Sequence, residues 1–341
     1  MEKISRNENV DILRGVAMLL VLLGHTMTGV TEGAQDIFLF QVIWSLQMPL
    51  FILISGYVTR YSKPINSLPS LKKILWKRTV AYLLPWCVWS FLVRGFIFQR
   101  TYFLNIRWIL WHMDSGYWFL FTLWMIVVIF TLSKYVANRV SNGKIVAEVV
   151  VESIIYIIGM GGLVGLGALF GMSFLAIKLT LYYMPFYYIG HLYGRFQNKI
   201  NSIRSGGIVV EIISAMCLVI WLVIITRVNL YYSEDGGLSL MIRAIASLTG
   251  CVAVCSLVKS NKKQSNVCKF LEWVGKNSMG IYTAHYLLLN LLRTTVVPKI
   301  SSMQGVGIVA VNYTITLLLL IVAVAIINRN RVLRLLLVGK T

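Results

Sequence analysis

The sequence predicts an all-α integral membrane protein, a single bundle of about ten transmembrane helices with both termini in the cytoplasm. Three observations lead to this prediction. Hydrophobic residues make up 58% of the 341 residues and charged residues only 13%, and the mean hydropathy of +0.76 is higher than a soluble domain needs. Apolar segments of membrane-spanning length recur along the chain. Basic residues collect in alternate connections between these segments.

The apolar segments define the predicted spans, because a membrane-crossing helix needs about 20 mostly apolar residues. The first segment is long enough to cross, and no cleavage-like site follows it, so we predict a retained helix rather than a signal peptide. The glycine-rich stretch 159–171 leaves open a helix end, a turn or a broken helix, and its GxxxG spacings favour close helix packing. The ten predicted spans are residues 10–30, 41–59, 79–99, 116–133, 145–166, 174–194, 207–228, 238–258, 278–297 and 307–328.

The distribution of basic residues predicts the orientation. Most of the 32 lysine and arginine residues lie in every second connection and in the short tails 1–9 and 329–341. The other connections are poor in basic residues, and two are acidic, around Glu32 and around Glu234. Because basic connections stay in the cytoplasm, both termini are predicted to lie inside. The formal charge of +20 does not indicate a nucleic-acid partner, because a protein that binds nucleic acid gathers its basic residues on one face or in one motif.

No metal site and no disulfide framework are predicted. The five cysteines fall mostly within apolar segments, and none forms a CxxC pair. Cys251 and Cys255 share a helix face, but no histidine or further cysteine pair accompanies them. We therefore interpret them as small packing residues.

The first span carries polar residues where the bilayer favours hydrocarbon. Its sequence DILRGVAMLLVLLGHTM, residues 11–27, contains Asp11, Arg14 and His25, and an arginine or aspartate at the bilayer centre costs about 2.5–3.5 kcal/mol. Arg14 and His25 are eleven residues apart, which places them on one helix face, about 16 Å apart along the axis. Asp11 lies one turn before Arg14, close enough to pair with it.

Two interpretations of this face remain open. In the structural one, Arg14 is a snorkelling anchor on the cytoplasmic side and His25 is hydrogen-bonded between helices. In the functional one, His25 is a general base deep in the membrane, and Arg14 binds an anion such as a phosphate. A cytoplasmic donor bearing phosphates could then extend its reactive end towards His25.

Several motifs in order resemble the membrane-bound acyltransferase-3 family. Arg14 and His25 reproduce its R-x10-H signature within an LRGxA context, and the resemblance extends from residue 11 to residue 289. The further matching stretches are MPLFILISGYV at 48–58 (a P-x-F-x-x-S-G pattern), the basic KKILWKRTVAYLLPW at 72–86, YWFL at 117–120, and LEWVGKNSMGIYTAHYLLL at 271–289, which matches LG-x-x-S-x-x-I-Y-x-x-H.

The resemblance implies O-acylation, usually O-acetylation, of carbohydrates at a membrane. The donor would be cytoplasmic acetyl-CoA, and the acceptor a hydroxyl of a cell-surface, exopolysaccharide or lipid-linked glycan. His25 would be the essential base or acyl relay, Arg14 would contact the CoA, and no resident cofactor is implied. Many members carry an extracytoplasmic esterase-like domain after the membrane part. Residues 1–341 are expected to form one transmembrane domain, in the plasma membrane of a bacterium, that works alone or with a separate extracytoplasmic partner.

The matched motifs supply further candidate site residues. Lys73 and Arg78 could hold CoA phosphates from the cytoplasmic side, although positive-inside topology demands the same residues. The candidates for contact with substrate are Ser55, Tyr57, Trp118, Tyr282 and His285. Three of them have a structural alternative: close packing at the Ser-Gly pair, an interfacial anchor for Trp118, and a hydrogen-bonded bundle residue for His285.

A transporter or flippase of a glycan is the alternative function. Arg14 and His25 would then bind or relay an ion. The sequence shows no clear internal repeat, whereas inverted repeats are common in transporters.

Overall fold

The computed structural model describes residues 7–97, 99–113, 116–202, 206–232, 236–260 and 265–340. The regular secondary structure of these residues is all helical, and they contain no strand beyond one isolated bridge between Glu32 and Lys299. The acidic connection around Glu234 lies outside the described residues. The α-helices are α1 Glu8–Val30, α2 Phe38–Tyr57, α3 Leu68–Cys87, α4 Ile106–Trp111, α5 Trp118–Val140, α6 Ile145–Phe170, α7 Ile177–Ser202, α8 Gly206–Arg227, α9 Gly237–Ser260, α10 Asn266–Lys276, α11 Ser278–Leu288, α12 Met303–Arg329 and α13 Arg331–Val338.

Seven of these helices, among the residues that the structure describes, are long and apolar enough to cross a membrane. They are α1, α2, α5, α6, α8, α9 and α12. The structure thus supports a multi-pass, all-α membrane protein, while the count of ten spans and the orientation remain predictions. The other three predicted spans correspond to α3, α7 and α11.

Each of these three segments departs from a regular apolar helix for its own reason. The helix predicted over 79–99 starts earlier, at Leu68, and continues beyond Cys87 as a π-helix, Val88–Ile97. α7 has 26 residues but a mixed composition with several tyrosines and basic residues. The helix α11 has only 11 residues, so the prediction of a continuous helix over 278–297 is wrong.

The glycine-rich stretch forms neither a turn nor a break. α6 is one continuous helix of 26 residues that ends at Phe170. It is followed by Gly171, whose φ of 92° no other residue type adopts readily. The predicted close packing is wrong at Gly161 and Gly165, where an added Cβ would meet nothing within 4 Å. A membrane helix tolerates these glycines because its backbone hydrogen bonds are all internal.

Besides the short helix α4, Ile106–Trp111, two helices occur where connections or tails were predicted. The basic connection 259–276 contains α10. The tail 329–341 contains α13, whose first backbone N–H groups donate to the Asn330 side chain. Trp89 Nε1 donates to the Leu337 carbonyl oxygen at 3.0 Å, which fixes α13 against the π-helix. Both helices are amphipathic and too short to cross a membrane.

The described residues form two compact units. The first unit comprises Met1–Val58 and Ile189–Ile326, and the second comprises Thr59–Tyr188 and Ile327–Thr341. In the second unit α5 packs between α3 and α6. In the first unit α1 is the central helix and contacts α2, α9, α10 and α11.

Candidate active site

The polar face of α1 begins with an ion pair. Arg14 lies one turn after Asp11, with 3.9 Å between Arg14 Nη1 and Asp11 Oδ1. The carboxylate of Asp11 is 1% exposed and the Arg14 side chain 28% exposed. The prediction that these two residues pair is confirmed. Burying the carboxylate without such a cation would cost several kcal/mol.

α10 crosses α1 next to this ion pair, and two glycines allow it. An added Cβ at Gly15 would overlap the backbone carbonyl of Leu271, and one at Gly275 would overlap the backbone carbonyl of Asp11. Helices approach this closely only where a side chain is missing. Gly275 of the C-terminal motif is therefore part of the α1–α10 crossing.

The chain after α10 extends along α1 to its other end. His285 and Tyr286 on α11 lie beside His25, and Asn290 contacts Gly29. At the far end, Glu32 exchanges two backbone hydrogen bonds of 3.0 Å with Pro298 and Ile300. The segment 278–298 therefore spans the length of α1, first as a helix and then without regular structure.

The irregular part of this segment is held by two polar residues of α12. The Asn312 side chain accepts from the Leu292 N–H and donates to the Leu292 carbonyl oxygen, both at 3.0 Å. Thr316 donates to the Leu288 carbonyl oxygen at 3.0 Å, where α11 ends. Both side chains are buried. These side chains replace hydrogen bonds that a continuous helix would supply. Backbone groups inside a membrane need such partners, because no water is there to bind them.

Three aromatic rings meet at His25, and we call His25, His285 and Tyr286 the three-ring cluster. The centroid of the His25 ring lies 5.3 Å from that of His285 and 5.1 Å from that of Tyr286. The rings of His285 and Tyr286 are 4.1 Å apart. The Tyr286 hydroxyl lies 3.3 Å from His25 Nε2, within hydrogen-bond distance. Two histidines and a phenol can accept and donate protons together.

His285 is oriented by its own helix. Its Nδ1 lies within hydrogen-bond distance of the Tyr282 carbonyl oxygen, which can only accept, so Nδ1 carries the proton and Nε2 presents a lone pair. His285 is fully buried, and Nε2 has no hydrogen-bond partner among the residues described. An unsatisfied buried acceptor costs about 1–3 kcal/mol. A ligand hydroxyl donating to Nε2 would remove that cost.

The other candidates of the first unit are placed as follows. Tyr282 is buried, and its ring centroid lies 5.6 Å from that of His285. The Ser55 hydroxyl donates to the Phe51 carbonyl oxygen of its own helix, and the Tyr57 hydroxyl donates to Gln197 at 2.7 Å. Nothing in the structure tests their role in substrate contact.

The remaining candidates belong to the second unit. Lys73 and Arg78 are exposed on α3. Trp118 is the first residue of α5, and its indole stacks on Tyr183 with 5.6 Å between ring centroids and 17° between ring planes. Their predicted roles in binding CoA and a sugar ring remain untested.

The sequence interpretation missed two residues of this site. Tyr286 stands directly after the last residue of the matched motif, and only the packing of α11 on α1 reveals its contact with His25. Asn312 gave a sequence signal, because a lone asparagine inside a long apolar segment is costly and needs a partner.

Comparison with known proteins gives one family and one relative. A family model described as an acyltransferase domain matches residues 7–328. The chain is also similar to Nodulation protein NolL of Sinorhizobium fredii (strain NBRC 101917 / NGR234), with 26% identity over 202 residues, which are 56% of this chain and 50% of that protein. The chain therefore spans about half the length of this curated relative. No solved structure matches the chain.

Proposed function

The chain belongs to the acyltransferase-3 family, and we propose that it is an O-acyltransferase that moves an acetyl group from cytoplasmic acetyl-CoA to a glycan hydroxyl. Membership in an acyltransferase family favours an enzyme over the alternative function, a transporter or flippase. The acceptor we propose is a cell-surface, exopolysaccharide or lipid-linked glycan of a bacterium whose plasma membrane holds the protein. A separate extracytoplasmic partner could receive or present that glycan.

The observation that carries this proposal is the three-ring cluster, whose His25 lies on the same face of α1 as Arg14. A sugar hydroxyl is a poor nucleophile, so a base must take its proton while its oxygen attacks the thioester carbonyl. His25 is the base in our proposal. The new carbon–oxygen bond forms as the carbon–sulfur bond breaks, and the departing CoA thiolate then takes from His25 the proton that came from the sugar hydroxyl.

The other side chains would bind the two substrates. Arg14 offers five donors in a planar fork, which suits a CoA phosphate. Lys73 and Arg78, in the second unit, stay candidates for binding CoA phosphates. The unpartnered Nε2 of His285 would accept a hydrogen bond from a hydroxyl of the acceptor. Ser55, Tyr57 and Tyr282 in the first unit, and Trp118 in the second, each stay candidates for contact with the acceptor.

Acetyl transfer in membrane vesicles tests this function. Vesicles with wild-type protein, His25→Gln or His112→Gln at matched expression receive labelled acetyl-CoA, and the label in the glycan fraction is measured. His112 is an exposed histidine of the second unit whose ring stacks on Trp108, so its variant controls for replacing any histidine.

We expect transfer with the wild type and with His112→Gln, and its loss with His25→Gln. Undiminished transfer with His25→Gln would contradict the role of His25. Absence of labelled glycan with every protein, in vesicles shown to contain acceptor glycans, would contradict the proposed donor and acceptor.

A further inference from the structure

Tyr286 makes the one hydrogen bond to the His25 ring that the described residues provide. Its hydroxyl oxygen lies 3.3 Å from Nε2, and the two ring centroids are 5.1 Å apart. The Tyr286 ring also lies beside the His285 ring, with 4.1 Å between their centroids. Because α11 is fixed to α12 through Leu288 and Thr316, the position of the hydroxyl is set by the fold.

A hydrogen bond to one imidazole nitrogen decides which nitrogen carries the proton. A phenol oxygen can accept from Nε2–H. The lone pair then resides on Nδ1, for which the described part of the chain offers no hydrogen-bond partner. An imidazole held in this way has one nitrogen fixed and the other available to a substrate.

Resting on the proposed function, we propose that Tyr286 is the positioning residue of His25, whose hydroxyl accepts Nε2–H and leaves Nδ1 to take the proton of the acceptor hydroxyl. Tyr286 itself exchanges no proton in this step. The acceptor proton moves to Nδ1, the acceptor oxygen bonds to the acyl carbon, and the departing thiolate is protonated from Nδ1.

Two matched tyrosine variants test the assignment. Tyr286→Phe removes the hydroxyl and keeps the ring contacts. Tyr313→Phe removes a hydroxyl from α12 that lies 3.4 Å from the Leu19 carbonyl oxygen, also on α1. Both variants therefore lose a polar contact to the same helix, and only the first loses a contact to His25.

The experiment has a kinetic arm and a chemical arm. The kinetic arm measures kcat and the KM for acetyl-CoA. The chemical arm measures, by peptide mass spectrometry without substrates, how fast diethyl pyrocarbonate carbethoxylates His25. For Tyr286→Phe we expect kcat to fall about tenfold, as for loss of an orienting partner, with the KM unchanged. Carbethoxylation should be severalfold faster, because the ring can then adopt either tautomer and present the lone pair on Nε2 as well as on Nδ1. Tyr313→Phe should match the wild type in every quantity.

A wild-type kcat in Tyr286→Phe would overturn the assignment, as would equal effects of the two variants. The chemical arm separates this failure from that of the proposed function. If the wild type transfers no acetyl group, an altered carbethoxylation rate in Tyr286→Phe alone still supports the contact with His25, and an unaltered rate refutes it.

Discussion

Gly275 of α10 lies directly against the backbone carbonyl of Asp11 on α1. The contact places the start of α11 beside the Asp11–Arg14 ion pair. From there α11 brings His285 and Tyr286 to His25. Gly275, ten residues before His285 in the sequence, therefore helps to determine where two of the three rings of the cluster lie.

We expect Gly275→Ala to destabilise the protein. The added methyl would overlap the Asp11 carbonyl, and overpacking of this kind costs about 1–3 kcal/mol, against a gain of about 1 kcal/mol in helix propensity. The measurement is the unfolding temperature in detergent, which should fall, together with acyl transfer, which should fall further because α11 moves.

Gly161→Ala is the matched control for this substitution. Gly161 also lies inside a helix, but an added Cβ meets nothing within 4 Å. Its unfolding temperature should stay the same or rise slightly. Equal losses in the two variants would show that the Gly275 contact has no special importance.

The contrast between these glycines shows what the sequence can and cannot predict. GxxxG spacing predicted close packing at Gly161 and Gly165, and the structure has none at either position. Whether a glycine faces another helix or the lipid depends on tertiary contacts, which spacing alone does not contain. Positions within one helix are more predictable: the eleven-residue separation of Arg14 and His25 placed both on one face because helix geometry fixes that relation.

The packing of α11 against α1 could not be predicted from the sequence either, because it also depends on tertiary contacts. His25 and His285 are 260 residues apart, and their contact follows from how α10 and α11 pack. The end of α11 at Leu288 depends on Thr316 and Asn312, which satisfy the backbone from another helix. The hydropathy of residues 278–297 shows only an apolar segment, so it predicted one continuous helix.

We expect Asn312→Leu to destabilise the irregular segment after α11. The substitution leaves the N–H and the carbonyl of Leu292 without their partner, at a cost of about 1–3 kcal/mol for each group. Unfolding temperature and acyl transfer should both fall.

Thr314→Ala provides the comparison for Asn312→Leu. Thr314 lies on the same helix, is exposed, and donates only to the Ala310 carbonyl of that helix. Its removal should change stability by about 0.5 kcal/mol or less. If Asn312→Leu unfolds at the same temperature as Thr314→Ala, the proposed bracing of the segment is wrong.

We predict that residues 265 and 301 lie on opposite sides of the membrane. The segment between them begins at the Asp11 end of α1 and ends at Glu32, so it crosses although only part of it is helical. In a cysteine-free background, Ser265→Cys should react with an impermeant thiol reagent from the cytoplasmic side only. Ser301→Cys and Glu32→Cys should both react from the outside only. Labelling of positions 265 and 301 from one side would contradict a crossing.

Arg14 supplies the last prediction, which concerns the donor. If its guanidinium binds a CoA phosphate, Arg14→Gln should raise the KM for acetyl-CoA about tenfold, since a charge-assisted hydrogen bond contributes about 1.5–3 kcal/mol. Arg14→Lys should give an intermediate KM, because lysine keeps the charge next to Asp11 but loses the planar fork. The kcat should change less than the KM in both variants.

Arg293→Gln, at an exposed arginine after α11, controls for the loss of a positive charge. An unchanged KM in both Arg14 variants would leave Arg14 as a topological anchor whose partner is Asp11, and the donor would then have to be bound by other residues.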